Sequence, residues 1–577
     1  MTDETERLSE LAKRRGYFFQ SSEIYGGVAG FYTYGPQGAA LKSNIQDSWR
    51  ERFTVKEGHR EIDAPTIMPE EVFRASGHLE GFDDMIVVCA ECESSHRADH
   101  IIEDNTEIEE AEGFSPEKTA EVISEHELQC PTCGTSLAGN EVEDFNLMFA
   151  TNIGPGSSSP GYLRPETAQG IFVEFPRLKE YAREQLPFGI TQIGRAYRNE
   201  ISPRKSLVRV REFTQAELEL FIDPEEDEPD LEKVEDIELT LYPVEKQGTG
   251  EYLEMTVGEA VEENVIESDW VAYYLGLAKR WYRKIGVDMD RFRFRQHQEG
   301  ERAHYATDCW DAESEVDGDW IEMAGFAYRG CYDLESHAER SDEDFTVFKQ
   351  YDEPEVVEKT TVSPDMGYLG PEFGDAADEV ADALQELAEG SPEEFESGEV
   401  TVEVGDEEHT VPVEKTGFSV EEVKESGEHV TPHVVEPSFG VGRTLYTVLT
   451  HAYKEDEVDG EERTVLQLEP EVAPTEIGVF PLMDRDGMGE KAREVAEELR
   501  REGFSVEHDD SGAIGRRYRR QDEVGTPFCV TVDHETLEDG TVTVRERDST
   551  EQKRVGVDEL AEVMGQLLNG SRSFSEL

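Results

Sequence analysis

The chain has 577 residues, 36% of them hydrophobic, which exceeds one ordinary domain and allows about two to four packed ones. It holds no apolar run of about 18 residues and opens on the acidic stretch MTDETERLSELAKRRGYFF, so neither a membrane span nor a secretory signal is expected and a cytoplasmic location is. Asp plus Glu number 132 against 55 Lys plus Arg, a formal net charge of -77, and the Gly-rich and aromatic-rich segments between these carboxylates exclude a disordered acidic protein.

Such a chain repels itself in dilute solution. Molar salt shrinks the Debye length to about 3 Å and screens that repulsion, so a salt-rich, halophilic host is the expectation.

Residues 1–88 are rich in aromatics; within them LKSNIQDSWRERF (41–53) has helical spacing and HREIDAPTIMP (59–69) reads as a strand ending near Pro65. In 89–160 two cysteine pairs flank an acidic stretch, followed by the loop GPGSSSPG (154–161). Residues 161–221 carry little acid at first and much base later. Residues 222–267, with DPEEDEPDLEKVEDIE, read as a solvated acidic insertion, 268–345 regain Trp, Tyr and Cys, and 346–428 read as a second acidic insertion. Residues 429–473 are Gly-rich at first. A separate module spans 474–577: EIGVFPL (476–482) reads as a strand, GEKAREVAEELRREG (489–503) as a helix stopping at Gly503, and FSVEHDD, PFCVTVD and TVTVRERD as strands. That alternation predicts a small α/β domain.

In so acidic a chain a local surplus of base is informative. Arg195, Arg198, Arg204, Lys205, Arg209 and Arg211 lie close together in one stretch, a density that points to an anion such as phosphate. Arg516, Arg517, Arg519 and Arg520 surround Tyr518, with Arg545 and Arg547 on a later strand; base interleaved with an aromatic fits a nucleic-acid surface. Neither cluster follows a Gly-rich phosphate loop or a dinucleotide fingerprint.

Of seven cysteines, Cys89, Cys92, Cys130 and Cys133 form C-x-x-C…C-x-x-C, a spacing that suits tetrahedral Zn2+; a metal-free thiol cluster is the alternative. A cytosolic location argues against two disulfides. Cys309, Cys331 and Cys529 read as core residues.

GRAYRNEISPRKSLVRVREFTQAELELF (194–221) resembles the second signature motif of class II aminoacyl-tRNA synthetases, with Arg-x-Glu, a basic loop and Arg-x-x-x-Phe. EPSFGVGRTLYTVL (436–449) resembles their third, and the helix and strand ending at Pro65 their first, which forms the dimer interface in that class. Four more segments resemble the glycine-specific branch of the archaeal and eukaryotic dimeric type. They are RRGYFFQSSEIYGGVAGFYTYGPQGAALKSNI (14–45), RPETAQGIFVEF (164–175), HYATDCWDAE (304–313) with WIEMAGFAYRGCYDL (320–334), and SGAIGRRYRRQDEVGTPFCVTVD (511–533).

The resemblance implies an α+β fold: an antiparallel-sheet catalytic domain assembled from 1–88, 161–221, 268–345 and 429–473, decorated by the insertions, and a C-terminal α/β anticodon-binding domain. It implies attachment of glycine to its tRNA through a glycyl-adenylate, with release of AMP and pyrophosphate. ATP with Mg2+, glycine, glycine tRNA and a second copy of the chain are then the partners. Arg198 is implied to hold the α-phosphate and glycine carboxylate, Glu200 the adenine amino group, and Phe213 the adenine face. Arg209 and Arg443 are implied to hold the terminal phosphates, with Arg211 assisting and Glu322 beside Met323 as a nucleotide or Mg2+ contact. Asn199, Val208, Val210, Glu212, Gly440, Val441 and Gly442 complete the implied ATP site.

Glycine offers no side chain to read, so its ammonium must be gripped by acceptors. The resemblance implies Glu166, Glu217, Glu436 and Ser438, with Arg329 balancing charge and Arg97, Gln215, Pro437, Phe439, Phe213 and Gly440 lining the site. The tRNA contacts it implies are the basic residues around Tyr518, with Arg545 and Arg547. No G-x-S-x-G or H-E-x-x-H is present, in keeping with catalysis by positioning. A class II enzyme for proline, serine or threonine is opposed by the glycine-type segments. A module that has lost ATP chemistry is opposed by the presence of Arg198, Glu200 and Arg443.

Overall fold

The computed structural model describes residues 3–577 apart from 107, 109–110, 112, 156–158, 204–205, 299–306, 397, 406 and 459. Arg204, Lys205 and the first residues of HYATDCWDAE lie outside the described residues.

The chain divides into two compact units, one of residues 1–182, 186–345 and 431–577, the other of 183–185 and 346–430. The first unit is organised by a nine-stranded sheet. In chain order its strands are β1 (Arg60–Glu61), β2 (Phe188–Tyr197), β3 (Glu212–Ile222), β4 (Glu238–Tyr242), β5 (Leu253–Thr256), β6 (Phe292–Gln296), β7 (Asp308–Val316), β8 (Asp319–Gly330) and β9 (His433–Gly440). Their spatial order is β5-β4-β6-β7-β8-β9-β3-β2-β1. Neighbours are antiparallel except β4 with β6 and β2 with β1.

Strand β3 shows how this sheet separates a core from a site. Successive side chains point to opposite faces. Ala216, Leu218 and Leu220 enter a core with Leu41, Ile45 and Trp49 of helix α1 (Pro36–Trp49), Tyr274 and Trp281 of helix α2 (Asp269–Lys284), and Leu445 and Leu449 of helix α3 (Val441–Ala452). Truncating one such leucine costs about 2–5 kcal/mol. Gln215, Glu217 and Glu219 occupy the other face and are equally buried. Burying carboxylates is expensive without a partner, so this face is built for one.

Two sequence expectations change here. Residues 222–267 are not solely a solvated insertion: β4 and β5 extend the central sheet, and alternation in ELTLY sends Leu239 and Leu241 into the core at full burial. The strand expected to end near Pro65 stops already at Glu61 as β1, and a separate strand, Ile67–Pro69, pairs with Pro160–Leu163. Pro65 has no N–H to donate to a ladder, and the Ala64 and Pro65 carbonyls instead accept from the Arg164 guanidinium.

The C-terminal part carries a five-stranded sheet of β10 (Ile477–Pro481), β11 (Val506–His508), β12 (Phe528–Val532), β13 (Thr541–Glu546) and β14 (Gln552–Gly556), ordered β11-β10-β12-β13-β14. Its first three strands are parallel and the last two antiparallel. Helix α4 (Met488–Arg501) ends before Gly503, whose φ of 98° suits a residue without Cβ. Helix α5 (Ile514–Glu523) precedes β12.

The second unit has its own core of Leu369, Val380, Leu384, Val400, Val402 and Val411, around the helix Ala377–Gly390 and the hairpin Glu399–Val404/Glu407–Pro412. Among the described residues no helix is long and apolar enough to cross a membrane.

Candidate active site

A cleft opens on the polar face of the sheet. Arg198, Glu200, Val208, Arg209, Val210, Phe213, Gln215, Glu322, Met323, Ser438, Gly440, Gly442 and Arg443 all line it, together with Leu207 and Thr214. The β2–β3 hairpin delivers the first group, β8 delivers Glu322 and Met323, and the β9–α3 junction delivers the rest.

Arg198 and Arg443 are each held by the backbone or by a ring, so their charge is aimed. The Arg198 guanidinium lies 5.5 Å from the Phe213 ring centroid and 5.3 Å from that of Phe82, and its Nε donates to the Pro165 carbonyl at 3.3 Å. Arg443 donates to the Val208 and Glu322 carbonyls at 3.0 and 2.9 Å and pairs with the Glu322 carboxylate at 2.9 Å. That guanidinium holds the Glu322 carboxyl below its ordinary range, against the effect of burial. Gly442 faces the Tyr34 hydroxyl, which a Cβ would approach to 3.0 Å.

Arg209 Nη1, Glu200 Oε2 and Gln215 Oε1 are buried with no hydrogen-bond partner. Each such group costs about 1–3 kcal/mol until something pairs with it. Arg209 Nε faces Glu200 Oε2 at 3.8 Å, an ion pair without a hydrogen bond, so both keep hydrogen-bonding capacity for something in the cleft.

One end of the cleft leads to a cluster of carboxylates. Ser438 Oγ donates to Glu217 Oε1 at 2.6 Å, and Thr167 donates to the other oxygen of Glu217. Glu166 accepts from Gln169 Nε2 at 2.9 Å and lies 3.6 Å from His78 Nε2. Arg329 makes a bidentate pair with Asp333 at 2.8 and 2.9 Å and donates to Glu436 at 2.7 Å. Burial alone raises a carboxyl, yet His78 and then Arg329 hold Glu166 well below the usual range. Burial, seconded by Glu166, raises Glu217. It raises Glu436 to about 7 against the pull of Arg329.

The loop bearing Glu166 is pinned by Arg164, which is buried and donates to the Arg195 carbonyl at 2.9 Å and the Ala64 carbonyl at 3.0 Å. Gly194 makes room for it: a Cβ there would overlap the guanidinium. Arg164, Thr167, Gln169, His78 and Asp333 had no role assigned from sequence. The first three stand inside RPETAQ and could have been read there, as could Asp333, four residues after Arg329 in 320–334; His78 is brought in by the fold.

Several expected site residues lie elsewhere. Arg211 donates to the Glu200 carbonyl at 3.0 and 2.7 Å and the Ala29 carbonyl at 3.1 Å, so it clamps the loop and does not line the cleft. Glu212 pairs with Arg195 beyond the cleft, Asn199 does not line it, and Val441 is in the core. Pro437 and Phe439 alternate away from Glu436 and Ser438. The Phe439 ring packs on Phe53 and Trp281 at 4.8 and 5.5 Å between centroids. Arg97 is buried against Asp84 and Asp99, beside Arg209 and away from the glutamates.

The C-terminal cluster also divides. Arg517 is buried and donates to the Asp510 and Gly512 carbonyls at 2.9 and 2.7 Å. Arg545 pairs with Asp522 at 2.9 and 3.2 Å, and Arg547 donates to the Leu468 and Gly525 carbonyls at 2.8 Å each. These three arginines are turned inward, where their charge is spent on protein acceptors. The Tyr518 hydroxyl bonds Thr531, and its ring lies under Arg545. Arg516 is exposed, while Arg519 and Arg520 are half-buried.

Cys89, Cys92, Cys130 and Cys133 come together with all four sulfurs within 4.8 Å. Cys89–Cys133 and Cys92–Cys130 are 3.6 and 3.7 Å apart, near the edge of about 3.8 Å that a Zn–S bond of about 2.3 Å gives a tetrahedron. The two knuckles match: Glu93 N donates to the Cys89 carbonyl and Gly134 N to the Cys130 carbonyl, each with positive φ. Cys309 and Cys529 are buried and Cys331 half-buried.

Sheet order, hairpin cleft and the strand–helix junction at Gly440 define the catalytic core of a class II aminoacyl-tRNA synthetase, and residues 158–247 match the family model for the tRNA synthetase class II core domain (G, H, P, S and T). Residues 476–567 match the anticodon binding domain model. The chain is 50% identical over 578 residues to the glycine–tRNA ligase of Methanothrix thermoacetophila, covering 100% of this chain and 99% of the relative. It is 49% identical to that of Methanothermobacter thermautotrophicus (97% and 99% covered) and 45% to that of Methanocaldococcus jannaschii (98% and 99%). The chain belongs to the glycine–tRNA ligase family.

Proposed function

We propose that the chain activates glycine with ATP and loads it onto tRNA. The observation that carries this reading is the Ser438–Glu217 contact, which joins a cleft lined by arginines to a floor of glutamates. In the activation step the glycine carboxylate attacks the α-phosphate and pyrophosphate leaves. Two anions must meet, so fixed positive charge and alignment carry the catalysis. Arg198 bridges the carboxylate and α-phosphate, Phe213 stacks on adenine, Glu200 accepts its amino group, and Arg209 with Arg443 neutralises the terminal phosphates. Glu322, paired with Arg443, is the carboxylate that would hold Mg2+, and the ion would supply further charge neutralisation at the phosphates. Glu166, Glu217 and Glu436 accept the ammonium group, and the tRNA's terminal ribose hydroxyl then attacks the adenylate.

On this reading residues 1–88, 161–345 and 429–473 form the catalytic domain, and 474–577 bind the anticodon. Arg516 supplies the outward charge on α5 for the tRNA, flanked by Arg519 and Arg520, which pair with Glu461 and Asp509 at 3.8 and 3.0 Å. The four cysteines hold a structural zinc. Two chains pair through α1 and the 59–69 segment, where Ile67 is 46% exposed; Val55, in the turn between them, is 66% exposed. The carboxylate-rich surface suits a salt-rich cytoplasm.

The deciding experiment is pyrophosphate exchange in concentrated KCl with each amino acid in turn. Exchange with glycine alone is expected; exchange with proline, serine or threonine in its place overturns the reading. Light scattering at assay concentration tests the dimer.

A further inference from the structure

Strand β3 places Glu219 on the same face as Gln215 and Glu217. The β3–β9 ladder pairs Glu217 with Ser438 and Leu220 with Val435, which sets Glu219 directly opposite Glu436. Cross-strand partners on one face have Cβ atoms about 4.5–5.5 Å apart. Glu219 is completely buried, and neither of its carboxylate oxygens has a hydrogen-bond partner among the described residues. On its other side β2 offers Ile190, which carries no charge.

The charged groups around Glu219 are Glu436 on β9, Arg329 on β8, Glu217 on its own strand, and Asp333 after β8. Arg329 is the only cation of the four, and its Nε and Nη2 are given to Asp333 and its Nη1 to Glu436. Two carboxylates side by side and away from water cannot both ionise, so the pair holds a shared proton. Glu436 has the guanidinium and Glu219 has nothing, which assigns the proton to Glu219.

We propose that Glu219 is a positioning residue of the ammonium site: a neutral carboxylic acid whose O–H donates to Glu436, keeping that carboxylate anionic and aimed at the bound ammonium. This rests on the reading above that Glu436 accepts the glycine ammonium. A second negative charge at Glu219 would push Glu436 out of line. A donor in the same place fixes one of its oxygens and leaves the pocket with one negative charge at this pair, matched to one ammonium.

The test is pyrophosphate exchange in the full chain with E219L, E219Q and E436Q. Leucine fills the space and removes the donor, so KM for glycine is expected to rise roughly 10- to 100-fold, the worth of a hydrogen bond to a charged group. KM for ATP and kcat stay within a few-fold. Glutamine returns an N–H donor without charge, and E219Q is expected to recover most of that loss. The infrared difference spectrum of wild type minus E219Q should show a neutral carboxyl carbonyl band. Equal rises in KM for E219L and E219Q make Glu219 a charged ligand and overturn the proposal, as does an unchanged KM in E219L. If E219L does not fold, the band and E219Q decide: no neutral carboxyl band, or a large KM in E219Q, overturns it. E436Q separates the two ideas. Unchanged glycine KM in E436Q removes the ammonium-site reading itself. A raised KM in E436Q beside an unaffected E219L removes only the role of Glu219.

Discussion

Ser438 donates its hydroxyl hydrogen to Glu217 at 2.6 Å, across the β3–β9 ladder that pairs the two residues. The contact ties motif 3 to motif 2 and fixes one oxygen of a carboxylate that burial would otherwise protonate. S438A leaves Glu217 with only Thr167 as donor. Its KM for glycine should rise about 10-fold, and E217Q should raise it further, with KM for ATP nearly constant in both. Exchange kinetics with glycine and ATP varied separately check this; equal effects on both substrates would reject the division of the cleft.

Arg198 lies over the rings of both Phe82 and Phe213, and its Nε donates to Pro165, the residue before Glu166. R198A should lower exchange by roughly 10²–10³-fold, the scale of losing a preorganised charge at a reacting centre. Binding of tRNA, measured by filter retention or fluorescence, should be unchanged. An R198A enzyme with normal exchange activity rejects the role given to Arg198.

The parts of this site that sequence made legible are those written into short motifs. Arg198, Glu200, Arg209, Phe213 and Arg443 sit in two contiguous stretches, and the hairpin and strand–helix turn carry them to one cleft. Sequence is less informative where neighbours along the chain face apart. Pro437 and Phe439 flank Ser438 but alternate to the other face, a period-2 rule that the run HVVEPSFG already contains. Basic composition marks arginines without saying which way they point. Arg517, Arg545 and Arg547 are spent on Asp522 and on carbonyls that only the folded chain brings near. His78 beside Glu166 depends likewise on distant segments meeting, whereas Asp333 stands only four residues after Arg329 and pairs with it locally. The acidic composition of 222–267 concealed a hairpin whose leucines alternate into the core.

Glu436 carries a pH signature. Burial raises its carboxyl from the ordinary 4.5 to about 7 in the free protein, Arg329 notwithstanding. A folded-state value above the unfolded one means stability that is full below the unfolded value and is lost as pH rises through about 7. Glycine's ammonium favours the ionised form, so kcat/KM for glycine should climb between about pH 6 and 8 and then level off. The unfolding midpoint of the free protein should fall as pH rises from about 4.5 to about 7 and then level off, and the increment added by glycine should grow as Glu436 ionises. In E436Q the climb should disappear; a profile identical to wild type would assign the titration elsewhere.

The cysteine knuckles predict about one zinc per chain by elemental analysis of the native protein. C130S should lose the metal and expose residues 83–146 to proteolysis, while leaving glycine-dependent exchange measurable, because the sulfurs lie outside the cleft. A metal-free wild type with the same proteolytic resistance would make the cluster a thiol core.

A net charge of -77 on 577 residues sets the last expectation. Most carboxylates are exposed, and pairs such as Arg7–Glu455 and Lys13–Glu23 leave many unmatched on a chain with 132 acids and 55 Lys plus Arg. Exposed pairs contribute about 0–1 kcal/mol each and weaken in salt, so they cannot account for stability in brine. Repulsion among the remaining carboxylates acts over about 10 Å at 0.1 M salt and about 3 Å at 1 M. The unfolding midpoint should therefore rise steadily with KCl, and activity should be lost on dialysis into dilute buffer. NaCl at equal ionic strength should substitute in large part, and an uncharged osmolyte such as sucrose should not. Full stability in dilute buffer would mean that the packed cores outweigh the self-repulsion without help, and the salt-rich setting would then have no physical basis in this chain.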